Sequence, residues 1–177
     1  MGRRAGGRAR SRDRIAPVRF GHGPAGGAAS VDGVLTTNQI GAIAEAEIVS
    51  AALKLGVGVF SAVHDERYDL IFDLRPRLLR VQCKTATVAG EVVVIRCYSC
   101  RRNAAGLLKR LYTSDEIDAV AAYCEQLDQA FLVPSERISG RSQIQLRLRR
   151  AKNNQMAGVN WADDFEFAAR LRSFLGP

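Results

Sequence analysis

Two short stretches of this chain carry groups that can do chemistry together. Arg67-Tyr68-Asp69-Leu70-Ile71-Phe72-Asp73 is followed, thirteen residues after Asp69, by Gln82-Cys83-Lys84. Each reads as a strand with polar groups set among apolar ones. On the second strand, alternation sends Arg80, Gln82 and Lys84 to one side and Val81 and Cys83 to the other. Asp69 offers a carboxylate. Gln82 offers an amide oxygen of the same shape but weaker as a ligand, and Lys84 offers an ammonium. Hard divalent cations prefer oxygen ligands. Such a cation activates water and neutralises the charge that grows on a phosphodiester during cleavage. Lys84 shares a face with Gln82, so it can orient the attacking water or stabilise the transition state. These residues fit metal-dependent cleavage of DNA. The same spacing also fits an ordinary cross-strand ion pair between Asp69 and Lys84.

A further oxygen comes from the segment that precedes them. Thr36 to about Leu55 reads as a helix, capped from Thr37 or Asn38 and stopped at Gly56. Gly41, Glu45, Ile48, Val49 and Ala52 fall on one face at helical spacing. Glu45 therefore stands on an apolar, core-facing stripe, where an unpartnered carboxylate costs on the order of several kcal/mol. A bound cation would hold it there. A helix-edge Glu that reaches solvent or pairs with an Arg is the bland alternative. Glu47, on another side, reads as a solvated charge.

The elements that must position these groups follow in order. Strands are predicted over Val57–Val63, Tyr68–Leu74, Leu78–Thr85 and Val92–Tyr98, with a turn at Pro76. A polar stretch, Ser99–Asn103, leads into a helical or irregular piece through Leu111. Two more strands follow at Ile117–Tyr123 and Ala130–Val133, then a brief turn or helix from Pro134 to Arg137. Gln143–Leu148 alternates as an edge strand, Lys152–Val159 is a polar loop, and Trp161–Leu175 is a closing helix capped from Asn160. Helices flanking a run of strands make an α/β sheet.

At 177 residues the chain is long enough for one domain with a real core. Its 47% hydrophobic and 25% charged content is ordinary for a globular protein. No apolar run approaches the roughly 18 residues of a membrane-spanning helix. The net charge of +8 suggests a polyanionic partner, but its distribution is uneven. Seven Arg against one Asp in residues 1–30 supply +6 of it. Residues 1–33, rich in Gly, Ala and Arg, read as a disordered basic leader ahead of a domain at 34–177. The leader lacks the apolar stretch of a secretory signal. Cys83, Cys97, Cys100 and Cys124 are too few for a disulfide scaffold. They read as reduced thiols in an intracellular, cytoplasmic protein.

Four stretches resemble the PD-(D/E)XK nuclease superfamily, in particular the branch of group I intron-associated homing endonucleases that carries Gln in place of the middle acid. Ile40-Gly41-Ala42-Ile43-Ala44-Glu45 is similar to its opening helix. Arg67-Tyr68-Asp69-Leu70 is similar to its metal-binding Asp segment, although Tyr68 stands where a Pro is usual. Leu79-Arg80-Val81-Gln82-Cys83-Lys84-Thr85 resembles its Gln-x-Lys strand, and Lys152-Asn153-Asn154-Gln155 with Asn160-Trp161-Ala162 resembles its tail. The match spans about Thr36 to Phe167. The resemblance implies a restriction-endonuclease-like mixed sheet flanked by helices. It implies Mg2+ at Asp69, Gln82 and Glu45, with Lys84 as base or charge stabiliser. It also implies duplex DNA as substrate and a dimer or tetramer, since cutting both strands takes two sites. A junction-resolving or repair nuclease on the same core, and an inactive DNA-binding protein, are the alternatives.

Other groups suit DNA contact. Arg80, Arg101 and Arg102 offer charge near the expected cleft. Lys152, Asn153, Asn154 and Gln155 suit base edges or backbone, as any polar loop would. Arg147, Arg149 and Arg150 fit either a DNA-tracking face or a charged edge that discourages aggregation. Cys97-Tyr98-Ser99-Cys100 has no second ligand pair for zinc and reads as structural. His64 reads as a surface-turn residue and Trp161 as core.

Overall fold

A computed structural model describes residues 34–103, 106–149 and 158–174. The opening helix α1 is Thr37–Lys54. Its cap is Thr36, just ahead of the expected Thr37 or Asn38. The Thr36 hydroxyl accepts from the Gln39 amide while the Gln39 side chain accepts from the Thr36 N–H, so two otherwise orphaned donors are satisfied reciprocally. Gly56 ends the helix at φ +76°, a conformation that costs glycine nothing.

Strands β1 (Gly58–Ser61), β2 (Leu70–Asp73) and β3 (Leu78–Ala89) form an antiparallel meander. The register pairs Leu70 with Val81 and Asp73 with Leu78. At 12 residues, β3 outruns its predicted end and serves two sets of partners. Its first part pairs β2, and its second part forms a hairpin with β4 (Val92–Arg96). Between these, Val81–Thr85 pairs in parallel with β7 (Ala119–Cys124). Strand β8 (Gln129–Pro134) lies antiparallel to β7, and β9 (Gln143–Arg147) lies antiparallel to β4 at the sheet edge, as its alternation predicted.

The polar stretch after β4 is a correction to the sequence reading. It forms β5 (Tyr98–Asn103), and the piece read as helical or irregular forms β6 (Gly106–Leu111). These two pair only with each other, in a two-stranded ribbon apart from the seven-stranded sheet. Leu107 and Leu108 are 59% and 56% exposed, so no buried face disciplines β6 into the alternation that marks a half-buried strand.

β7 is buried on both sides, which explains its unbroken small apolar run. Ala119 and Ala121 face the core beneath α1 and α3, with Ile48, Ala52, Leu70, Phe72, Leu79, Val81, Phe167 and Leu171. Val120, Ala122 and Cys124 face the opposite core, with Ile95, Phe131, Ile144, Leu146 and Phe165. The closing helix is split by its own sequence. Ala162–Phe165 is a 3-10 turn, and α3 is Phe167–Phe174. The cap of α3 is Glu166, whose carboxylate accepts from the Ala168 and Ala169 amides at 3.0 and 2.6 Å. Phe167 meets Phe72 edge-on at 6.0 Å between centroids, a pairing worth about 1 kcal/mol beyond its burial. The short helix α2, Ser135–Ile138, turns the chain from β8 toward β9. The described residues form one α/β domain with a mixed sheet and three α-helices.

Candidate active site

The site lies where β2 parts from β3. The Asp69 amide still bonds the Val81 carbonyl at 3.0 Å, and there the ladder stops. Cys83, two residues on, turns its N–H to the same edge of β3 and has no strand to meet it. The Asp69 carboxylate fills that gap, accepting the Cys83 N–H at 2.7 Å through Oδ2. The same Oδ2 accepts from the Gln82 side-chain amide. Two donors thus fix the carboxylate, while Oδ1 makes no hydrogen bond among the described residues. Gln82 is 7% exposed, and its amide nitrogen also reaches the Cys83 carbonyl at 3.3 Å. Both bonds use the nitrogen. The amide oxygen, the atom able to ligate a hard cation, is not consumed by them.

Glu45 arrives from α1. The buried stripe of that helix is Ala44, Ile48 and Ala52. Glu45 is half-buried at its border, and Gly41, expected on the stripe, is exposed. Glu45 nevertheless feels Asp69: burial first, then the Asp69 charge, push its carboxyl above the usual range. Burial likewise raises Asp69, against the lowering pull of the Cys83 N–H, the Lys84 ammonium and the Gln82 amide. The Cys83 thiol between them is driven up strongly by burial and by both carboxylates, so it is no nucleophile. The Asp69 carboxylate is thus bonded by the buried Gln82 amide, lies in the field of the Lys84 ammonium, and bears on Glu45 through its charge.

That donor set fits a divalent cation on chemical grounds. It offers two carboxylates and an amide oxygen, with no soft ligand available as thiolate. Among the described residues no three His, Cys, Asp or Glu side chains cluster as a metal-holding group.

Lys84 faces the side of the sheet opposite α1. Its ammonium stands 5.1 Å from the centroid of the Tyr112 ring. Arg67 covers the same ring at 4.5 Å. Arg67 also donates to Ser99 Oγ at 2.7 Å and to the Leu111 carbonyl at 2.9 Å, and pairs with Glu116 at 3.2 Å. Ser99 and Leu111 belong to β5 and β6, so Arg67 ties the base of the ribbon to the strand entry at Asp69. Tyr112, Glu116 and this role of Arg67 escaped the sequence reading. Arg67 lay within the quoted Asp segment, but nothing in local spacing connects it to Tyr112.

Arg80 corrects an expectation. It shares the face of Gln82 and Lys84, but its guanidinium is committed to the fold. Nε and Nη2 donate to the Asp118 carboxylate at 3.1 and 3.0 Å, Nη1 donates to the Asp115 carbonyl, and Nη2 also reaches the Ser114 carbonyl. This clamp holds the approach to β7 against β3 and leaves little of Arg80 for DNA. Arg101 and Arg102 stand on β5 opposite Leu108 and Leu107. Lys152, Asn153, Asn154 and Gln155 lie outside the described residues, as does the leader. Cys97 is buried, as expected of a strand cysteine, but Cys100 is exposed. His64 is exposed, as expected, and Trp161 is half-buried rather than core. Among the described residues no helix is long and apolar enough to cross a membrane. A cavity of about 370 Å³ lies along β9 between Arg141 and Asn160 and includes none of the Asp69 group.

Comparison with known proteins agrees with this geometry. No curated protein sequence matches the chain. Among solved structures, the bacterial homing endonuclease I-Ssp6803I is similar at 28% identity and a TM-score of 0.64, over 80% of this chain and 95% of that one. The structure of MepB aligns at 12% identity and a TM-score of 0.31, over 72% of this chain and 90% of that one, too slight a likeness to carry argument. A family model described as PD-(D/E)XK endonuclease matches residues 35–168, which takes in α1, both polar strands and the start of α3. The chain belongs to the PD-(D/E)XK endonuclease family.

Proposed function

We propose that this endonuclease is a Mg2+-dependent enzyme of the homing type that hydrolyses phosphodiester bonds inside duplex DNA. The observation that supports this most is the seating of Asp69. Its Oδ2 is pinned by a backbone N–H and the Gln82 amide, beside Glu45 and within the field of Lys84. Asp69, Glu45 and the Gln82 oxygen would hold the cation. When bound, it would acidify a water and offset charge on the phosphate.

The chain's own groups have distinct tasks. The Cys83 N–H and Gln82 fix the Asp69 carboxylate before substrate arrives, so no reorganisation is needed at the moment of reaction. Lys84 presents its ammonium toward the attacking water or the growing oxyanion. Arg101 and Arg102 contact DNA from the β5–β6 ribbon, since a two-stranded ribbon fits the major groove. Lys152, Asn153, Asn154 and Gln155 supply further contacts. Cutting both strands takes two such sites, so the active form is a dimer or tetramer.

The test is cleavage of supercoiled and linear duplex DNA with Mg2+ added and withheld. Nicking or cutting that requires Mg2+ and disappears in Asp69→Ala and Lys84→Ala supports the enzyme. DNA binding without cleavage, indifferent to both substitutions, would establish a binding protein that has kept the fold. Preference for branched over linear DNA would favour junction resolution.

A further inference from the structure

Lysine carries a flexible four-carbon stem, and a catalytic ammonium must be held against that freedom. Among the described residues Lys84 forms no ion pair, although its charge acts on Asp69, whose Oδ2 is bonded by two other donors. What the ammonium meets instead is the Tyr112 ring. Tyr112 is 3% exposed and packs in the core on the Lys84 side of the sheet. A buried ring has no freedom to follow a wandering lysine, so it sets a fixed floor. The ring is fixed in turn by Arg67, whose guanidinium lies 4.5 Å from its centroid and is anchored by Ser99, the Leu111 carbonyl and Glu116. Glu116 also matters electrostatically. Two cations against one ring would repel, and the 3.2 Å pairing of Arg67 with Glu116, a carboxylate that also pairs with Arg110, offsets part of that repulsion.

We propose that Tyr112, braced by the Arg67–Glu116 pair, is the positioning residue that aims the Lys84 ammonium at the reacting phosphate. This rests on the reading of Lys84 as an active-site residue. The bracket has a second consequence. Arg67 holds both strands of the ribbon through Ser99 and Leu111, so a displacement of the ribbon by DNA is felt at the ring under Lys84. Docking of the ribbon and alignment of the ammonium are then one event.

Two readouts test the proposal in the full-length protein. The first needs no activity. With lysine labelled at 13Cε, the Lys84 ε-methylene signal, assigned through Lys84→Arg, should lie upfield of that of Lys54 because of the Tyr112 ring current. Lys109, which sits 5.0 Å from the Tyr98 ring, is the internal standard for such a shift. Tyr112→Phe should keep the shift and Tyr112→Leu should lose it. The second is single-turnover cleavage with Mg2+ alongside DNA affinity. Tyr112→Phe should cut within about threefold of wild type. Tyr112→Leu should lose about 10- to 100-fold in rate with affinity unchanged, the cost of a misaimed group. An unshifted Lys84 signal in the wild type overturns the proposal, as does a folded Tyr112→Leu that cuts at the normal rate. A Tyr112→Phe variant as slow as Lys84→Ala would overturn it too. If Tyr112→Leu fails to fold, the wild-type shift and the Phe variant still decide. A wild type that shows the shift but never cuts would sink the nuclease mechanism while leaving the contact intact.

Discussion

Replacing Asp69 by Asn should separate activity from stability, and in opposite directions. The variant keeps the side-chain shape and one oxygen to accept the Cys83 N–H, now held at 2.7 Å. It removes the charge a cation would seek. Loss of one such preorganised electrostatic group costs about 10²–10³ in rate, or about 2.7–4 kcal/mol. Stability without metal moves the other way. Burial raises both Asp69 and Glu45, and the Asp69 charge adds to the rise at Glu45. The folded chain therefore favours their protonated forms. Their contribution to stability is full below the unfolded carboxylate range, and it is lost as pH rises through the raised folded values. Asn has nothing to lose over that window. In metal-free buffer, the Tm of Asp69→Asn minus that of wild type should grow as pH rises from about 4 to 8. Each 1.4 kcal/mol, the worth of one pKa unit, corresponds to about 3–6 °C for a chain of this size. The exchange of a charged for a neutral acceptor offsets about 1 kcal/mol of it. Adding Mg2+ at pH 8 should then raise the wild-type Tm, by about 2.7 kcal/mol of stabilisation at 100 times Kd, and leave the variant unmoved. Thermal melts across pH, with and without Mg2+, measure all of this. A Tm difference that shrinks with rising pH would refute the assignment of the burden to ionised Asp69. Equal Mg2+ stabilisation of both proteins would remove Asp69 from the metal site.

Other outcomes follow from the same geometry. Lys84→Ala should abolish cleavage yet leave DNA affinity within about twofold, read by gel shift beside a nicking assay; a variant cutting at the normal rate would take Lys84 out of the mechanism. Gln82→Glu replaces the amide donor to Asp69 with a third carboxylate, so metal-free stability should fall by about 1–3 kcal/mol while Mg2+ affinity rises, both visible by calorimetry. Arg80→Met should cost about 1–2 kcal/mol by leaving Asp118 and two carbonyls without their donor, with DNA affinity little changed; a large affinity loss without destabilisation would return Arg80 to the DNA surface. Replacing Arg101 and Arg102 together by Ala should weaken DNA binding and reduce the slope of log affinity against log salt by about one for each phosphate no longer neutralised.

What could be read from the sequence was set by local rules. The Thr36-to-Gly56 helix, the alternating strand around Gln82 and the edge strand at β9 each announce themselves by spacing. The shared face of Gln82 and Lys84 was legible because strand alternation assigns faces without knowledge of the fold. Strand limits were not, since the extra length of β3 exists to pair β4 at a register no local pattern states. The β5–β6 ribbon was missed because neither face of β6 is buried, so its leucines do not alternate. Tertiary structure alone decided three things about the site. It closed the unpaired edge of β3 with the Asp69 carboxylate, it spent Arg80 on Asp118, and it slid Tyr112 beneath Lys84 with Arg67 behind it. All three join segments distant along the chain, and contacts of that kind are chosen by packing and by the need to satisfy buried polar groups, which leave no periodic trace in the sequence.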